Sequence, residues 1–547
     1  MQIIIPMAGV GQRFVDAGYL TPKPLLEFDG QPIIQHIINL FPGEEDFTFI
    51  CNKSHLEQTN LADVLKKSAP HGKIVGIDSH KLGPVYTVSS IFDQINGADE
   101  AIIHYCDVAK FWDYPGFVKH VHRLESDGAL SAHRGFHPHM LRGTNYALIK
   151  ANGQSFEELV EKKLLEDINR EYVSDGLYYF SSGDILAKYF QAAMDKKVEV
   201  NGEYYASVVY NLMKKDGLKI SVYESQHLIS AQNPLDYEDY QKWSKVFRSL
   251  VEKRKNIKAQ TNSVNLIPLA GRGSRFANEG YTDPKPLIEV SGKPMIVQAS
   301  DFLPEAQKRV FVCLDEHLDK YPLEKEIKNA YPKAQIVRLD EVTEGQACTC
   351  EAGLKNIDPE SPLMIGACDN GMIWNEKEYQ KLIDDKSVDA IAWTFKHDVS
   401  SILNPNAYAW LKTDKKNNVS GISIKKAISN DPYNDHAFIG AMYFRRAKFF
   451  TDALKYLYKN NIRINGEFYL DSTVDVLIKQ KHKVKAFEVD SYIGWGTPND
   501  LKTFEYWQSF FHKCAWHPYR LEKDPTVDQS KIKKLDKKYT QFNQKSS

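Results

Sequence analysis

The chain has no apolar run that approaches the about 18 residues needed for a membrane-spanning helix, and no signal-like segment precedes the strand-like start at Gln2. It has no Cys-x-x-Cys pair, and its cysteine count is odd, at seven. That argues against a disulfide framework and fits a reducing compartment. Charge of one sign is also lacking, with a formal net charge of −1. Nothing global therefore draws the chain to nucleic acid or an anionic membrane, and a small-molecule substrate is the better expectation. Together these absences predict a cytoplasmic protein without membrane insertion. The pattern is also compatible with a homo-oligomer. Cys51 and Cys106 lie in strand-like runs with counterparts at Cys313 and Cys368, where buried packing is the expected role.

What is present is a duplication. A chain of 547 residues is too long for one ordinary core. Gly11, Arg13, Lys23, Cys51, Gly83 and Asp107 each return 262 residues later, as Gly273, Arg275, Lys285, Cys313, Gly345 and Asp369. Asn201-Gly202-Glu203 returns as Asn465-Gly466-Glu467 at 264, so the halves differ by about two residues of net insertion. We expect a first domain over 1–247, a polar linker over 248–263, a second domain over 264–512 and a Lys-rich, solvated tail over 513–547.

In the first copy, Gln2 to Pro6, Phe47 to Cys51, Lys73 to Ile77 and Ala101 to Tyr105 read as strands. Pro32 to Leu40, Val85 to Phe92 and Tyr237 to Phe247 read as helices. Such alternation predicts, in each half, a mostly parallel, doubly wound α/β sheet with ligands beyond the carboxyl ends of the strands.

The run Ile3-Ile4-Ile5-Pro6-Met7-Ala8-Gly9-Val10-Gly11-Gln12-Arg13-Phe14 is a strand feeding a small-residue turn, followed by Lys23 in Thr-Pro-Lys-Pro-Leu. A turn of this kind offers backbone N–H groups to a phosphate, and the arginine and lysine add full charges. It lacks the third glycine of a dinucleotide fingerprint, and no Gly-Lys-Ser/Thr of a P-loop follows. A bare Gly-x-Gly turn can be a loop without a ligand. Two copies with Arg and Lys at matching offsets favour the phosphate site.

Gly-x-Gly-x-Arg-Phe with Lys-Pro downstream resembles the signature of the sugar-phosphate nucleotidyltransferase superfamily, which makes nucleoside-diphosphate sugars. Within it the chain looks closest to the capsule-biosynthesis branch. The resemblance implies two tandem Rossmann-like nucleotidyltransferase domains, each a mostly parallel mixed sheet flanked by helices. It implies a nucleoside triphosphate and a small phosphorylated acceptor as substrates, Mg²⁺ as cofactor, and release of pyrophosphate by in-line displacement. Ala8, Gly9 and Gly11, with Ala270, Gly271 and Gly273, would meet the nucleotide. Arg13 and Arg275 would bind the triphosphate, and Lys23 and Lys285 would balance charge at the reacting phosphate. Asp107 and Asp369, at strand carboxyl ends, would hold the metal.

The copies part at the second metal ligand. Asp490 is the first choice and Asp500 the alternative, in Val489 to Asp500. In the first half Gln226 stands at the Asp490 place, and Ala231-Gln232-Asn233 replaces Trp495-Gly496-Thr497. Glu344-Gly345-Gln346-Ala347 resembles the family's base-reading loop, whereas the first copy has Leu82-Gly83-Pro84-Val85, in which proline removes an N–H. On the acceptor side, Glu203 and Glu467 in the Asn-Gly-Glu runs suit a hydroxyl-rich ligand, although the same runs also read as helix N-termini. Lys162-Lys163 and Lys425-Lys426 are placed to meet an acceptor phosphate, Lys426 above all. His133, His137 and His139 cluster in the first half only, where a solvated loop or an acceptor contact is preferred to zinc.

Two rival readings compete. A glycosyltransferase would usually show Asp-x-Asp where Cys106-Asp107-Val108 and Cys368-Asp369-Asn370 stand. A noncatalytic first half is motivated by Gln226 and Ala231-Gln232-Asn233, and opposed by Arg13, Lys23 and Asp107.

Overall fold

A computed structural model of the chain describes residues 1–142, 146–163, 171–252 and 257–540. They form two compact units, 1–241 and 242–537. The division falls inside the helix Pro234–Leu250, which outruns the expected Tyr237 to Phe247 segment. Asn233 starts that helix by accepting the Asp236 N–H at 3.0 Å, with proline at the first helical position. Residues 253–256 of the expected linker lie outside the described residues.

In the first unit, nine strands among the described residues make one mixed sheet. Gln2–Met7 lies parallel between Phe47–Asn52 and Ala101–His104, and Lys73–Ile77 lies parallel beyond Phe47–Asn52. The first three are fully buried apolar runs, as parallel strands covered on both faces require. Tyr172–Phe180 then enters antiparallel between Ala101–His104 and Gly128–His133, and Ile220–Glu224 joins parallel. Ile33–Ile38 and Pro84–Ser89 are the two expected early helices, each shorter than its apolar stretch. Because Gln2–Met7 and Ala101–His104 are parallel, the Gly turn and Asp107 emerge at one rim.

The second unit repeats the order. Gln335–Leu339, Ala306–Leu314, Gln260–Leu269 and Leu363–Ile365 are parallel neighbours, followed by the antiparallel His436–Phe444 and then by Ala390–Phe395 and Val484–Glu488. Pairing of Asn370–Ile373 with Ser491–Gly494 closes the rim beside Asp369.

The tail departs from the solvated expectation. Tyr519, Leu521 and Asp524 are fully buried. The Tyr519 hydroxyl donates to Asp524 at 3.0 Å and accepts from Gln508 at 2.8 Å, while Lys531 pairs with Glu289 at 2.7 Å. Its few apolar residues are spaced to reach the unit, and its lysines stay outside; composition alone does not register that spacing. No helix among the described residues is long and apolar enough to cross a membrane.

Candidate functional site

Each unit builds the same cationic corner. In the first, Gly11 takes a left-handed conformation (φ 73°) to start the short helix Gln12–Asp16, and a Cβ there would stand 3.4 Å from the Lys23 side chain. Lys23, held between two prolines, donates to Asp107 Oδ2 at 3.0 Å and to the Gln232 carbonyl at 3.2 Å. In the second, Gly273 has φ 64°, and Lys285 donates to Asp369 and to the Gly496 carbonyl at 3.2 Å. Burial works against the Lys285 charge, but Asp369 and Cys368 together outweigh it and the pKa rises. A Cβ at Gly9 or Gly271 would meet nothing within 4 Å, so the backbone there is open to close approach. Arg13 and Arg275 follow the turns and are exposed.

Gly83 (φ 87°) and Gly345 (φ 129°) admit no side chain. A Cβ would fall 2.7 Å from the Tyr204 carbonyl oxygen and 2.5 Å from that of Phe468. Val85 and Ala347 donate to those same carbonyls, both at 3.1 Å. The proline-for-glutamine difference therefore changes which N–H groups are offered by Pro84 and Gln346, not how the loop is anchored. Asn201 and Asn465 are left-handed (φ 54° and 50°) in tight turns closed by Val200 with Glu203 and Ile464 with Glu467. They do not cap the next helix, since Ala206–Lys215 begins at Tyr205 with no side-chain cap.

Two adjoining cavities line the first unit's rim. One of about 500 Å³ runs from Ala8, Gly9 and Gly83 to Lys23, and one of about 600 Å³ from Arg13 to Glu161, Lys162 and Tyr205. Gly11, Lys23, Asp107 and Glu203 border both. Glu203 accepts from the Tyr205 hydroxyl. Lys162 and Lys425 occupy the same left-handed conformation (φ 58° in each), strain that side-chain residues rarely carry, and Lys162 Nζ lies 5.3 Å from the Tyr205 ring centroid. Lys426 is exposed beyond that bend, and the Lys163 side chain lies outside the described residues.

Beside these lysines each unit keeps one half-buried carboxylate, and sequence reading missed both. In the first it is Glu161, bonded by Ser207 and raised in pKa by burial. In the second the Glu161 place is Ile424, and Asp471, at the Ser207 place, supplies the acid instead. Burial raises Asp471 to about 6, against a smaller opposing pull from Lys425. Comparing positions 161 and 424 in the two copies would have shown the loss, but not its replacement from another element.

The structure brings Asp500, not Asp490, to Asp369. Gly494 pairs with Asn370 and Ser491 with Ile373, so Asp490 sits past the far end of that pairing, exposed, with its carbonyl accepting from Lys245. A Cβ on Gly496 would stand 3.4 Å from Asp369 Oδ2 and 3.8 Å from Asp500 Oδ2, so both carboxylates face one gap. Asp500 Oδ2 accepts from the Thr497 N–H and hydroxyl, at 2.9 and 2.8 Å. Burial raises its pKa over the opposing Thr497 bonds and Lys242, and the negative charge of Asp369 adds a smaller push. Oxygen-only donors at a rim fit a hard cation.

The three histidines do converge, with ring centroids 4.2, 5.4 and 5.5 Å apart, but all are buried, not solvated. Burial lowers the pKa of each and keeps it neutral. Among the described residues no group of three or more His, Cys, Asp or Glu is arranged to hold a metal. All seven cysteines are free, and burial pushes the thiols of Cys51, Cys106, Cys313 and Cys368 up to about 12.

No protein-family model matches the chain. The bifunctional protein GlmU of Thermoanaerobacter pseudethanolicus (strain ATCC 33223 / 39E) is 28% identical over 246 residues, 44% of this chain and 50% of that protein. A GlmU of Staphylococcus epidermidis is 23% identical over 227 residues, 40% of this chain and 47% of its own length. The chain thus spans about half the length of these curated relatives. The crystal structure of the nucleoside-diphosphate-sugar pyrophosphorylase from Vibrio cholerae RC9 is 23% identical and covers 44% of this chain and 99% of its own, with a TM-score of 0.37. The inositol-1-phosphate CTP transferase from T. maritima is 15% identical over 46% of this chain and 97% of its own, at 0.36. Over about 44% of its length, the chain is similar to a bifunctional GlmU protein and to a nucleoside-diphosphate-sugar pyrophosphorylase.

Proposed function

We propose that the second unit transfers a nucleotidyl group from a nucleoside triphosphate to a phosphorylated sugar or similar small phosphate. The observation that carries this reading is the corner in which Lys285 joins Asp369 to the Gly496 carbonyl beneath an open glycine turn. An acceptor phosphate oxygen attacks the α-phosphorus, the bond to the β-phosphate oxygen breaks, and pyrophosphate leaves. Such a transfer needs alignment and charge neutralisation more than a protein nucleophile. Arg275 neutralises the triphosphate, Lys285 the reacting phosphate, and the Gly271 backbone lies against the nucleotide. Asp369 and Asp500 are the residues that would hold Mg²⁺, which when bound supplies further positive charge across the phosphate oxygens. Glu467, Lys425 and Asp471 face the acceptor. A role in capsule or other surface-polysaccharide synthesis is part of the proposal and rests on the sequence resemblance.

The test is calorimetric titration of the full chain with each nucleoside triphosphate and Mg²⁺. One triphosphate binds, and Arg275→Ala removes an equivalent of it. A chain that binds a nucleotide sugar but no triphosphate would be a glycosyltransferase, and the proposal would fail.

A further inference from the structure

The position of Asp500 is filled in the first unit by Asp236, 264 residues earlier. There the carboxylate is closed. One oxygen of Asp236 is held by Arg142, and the other accepts from Ser230 at 2.9 Å and from Asn233 at 2.8 Å. Arg142 also pairs with Asp239 at 2.7 Å, and Asp236 is only 4% exposed. The place of Arg142 in the second unit is Asn404, and the place of Gly496 is Gln232 in the first. Where the second unit leaves a gap between two carboxylates, the first therefore has a side chain, and beyond it an acid whose oxygens are already bonded. The Arg13 turn, the Lys23 to Asp107 pair and the Gly83 anchor are retained, and two cavities open at this rim.

We propose that the first unit is a nucleotide-holding site in which Arg142 has taken the place of a metal at the second carboxylate, so that it binds a nucleoside phosphate without transferring it. The inference rests on the nucleotidyltransferase reading of the rim and divides the labour between the units. A guanidinium held by two acids supplies the positive charge permanently, but it cannot shift to bridge phosphate oxygens as transfer proceeds. Asp107 alone remains open to a cation that arrives with the nucleotide. The predicted ligand is a nucleoside di- or triphosphate, gripped by Arg13, Lys23 and the Gly9 backbone.

The test uses the full chain carrying Arg275→Ala, titrated with each nucleoside triphosphate and Mg²⁺, then with Mn²⁺ followed by electron paramagnetic resonance. One equivalent of a triphosphate binds and is lost when Arg13→Ala is added. Asp107→Asn weakens Mn²⁺ in that complex at least tenfold, and Asp236→Asn changes it less than twofold. Should Asp236→Asn fail to fold, Arg142→Met with Asp236→Asn and Asp239→Asn removes the buried triad together and carries the same comparison. A tenfold loss of Mn²⁺ affinity in either of these, or no triphosphate bound by the Arg275→Ala chain, overturns the inference. A wild-type chain that binds a single equivalent, lost with Arg275→Ala, overturns this inference alone; one that binds no triphosphate at all takes the nucleotidyl-transfer reading with it.

Discussion

Behind the rim the two units are filled by opposite chemistry. The first buries a Lys110–Asp175 ion pair at zero side-chain exposure, bonded to Ser131 and backed by His133. The second has Met372, Ile439, Trp393 and Phe395 at those four places, all buried. The sheet order and strand pairings are shared, so this layer of the fold asks for volume and shape more than for polarity. A buried ion pair adds little net stability over well-packed apolar residues, but half of one is costly. The polar interior of the first unit thus stands on mutual dependence, and the second on packing.

Breaking that dependence gives the largest expected effect. Lys110→Met alone leaves Asp175 as an unpaired buried charge and lowers stability by about 3–5 kcal/mol, read by chemical denaturation. Adding Asp175→Ile, which copies the second unit's pair, recovers most of the loss. If the double variant is as weak as the single, the two interiors are not interchangeable.

Next in size is the catalytic asymmetry. Asp369→Asn lowers turnover about a hundredfold, or about 3 kcal/mol of transition-state stabilisation, whereas Asp107→Asn leaves pyrophosphate release within about twofold. Equal losses would mean two working sites.

The smallest effect concerns the relocated acid. With the Asp471 carboxyl raised from 3.8 to about 6, the folded chain keeps a proton that the unfolded chain releases above about pH 4. Stability of the second unit therefore falls as pH rises from about 4 to about 6, and Asp471→Asn flattens that slope. Carbon-13 NMR of the carboxyl tests it directly; a midpoint near 4 would place Asp471 in water.

Constant spacing made the corner legible, because Lys23 and Asp107, and again Lys285 and Asp369, come together at the offsets that singled them out. Strand register did not show itself. Asp490 and Asp500 flank the same motif, and only the pairing of Gly494 with Asn370 tells which one turns toward the rim. Arg142 was silent for a similar reason, since its partners lie 94 and 97 residues away and nothing local marks an arginine as buried. The alternating strands were readable from their apolar runs, while the antiparallel entry of Tyr172–Phe180 depends on long-range pairing.

The folded segment that ends the second unit also sets a timetable. Synthesis advances at about 5–20 residues per second. Tyr519, Leu521 and Asp524 therefore reach their sockets only after Pro498–Lys513 has been made, seconds behind the strands of the sheet. Until then the Gln508 amide donates to Ser291 but not to the Tyr519 hydroxyl, and the nascent second unit shows an unfinished face.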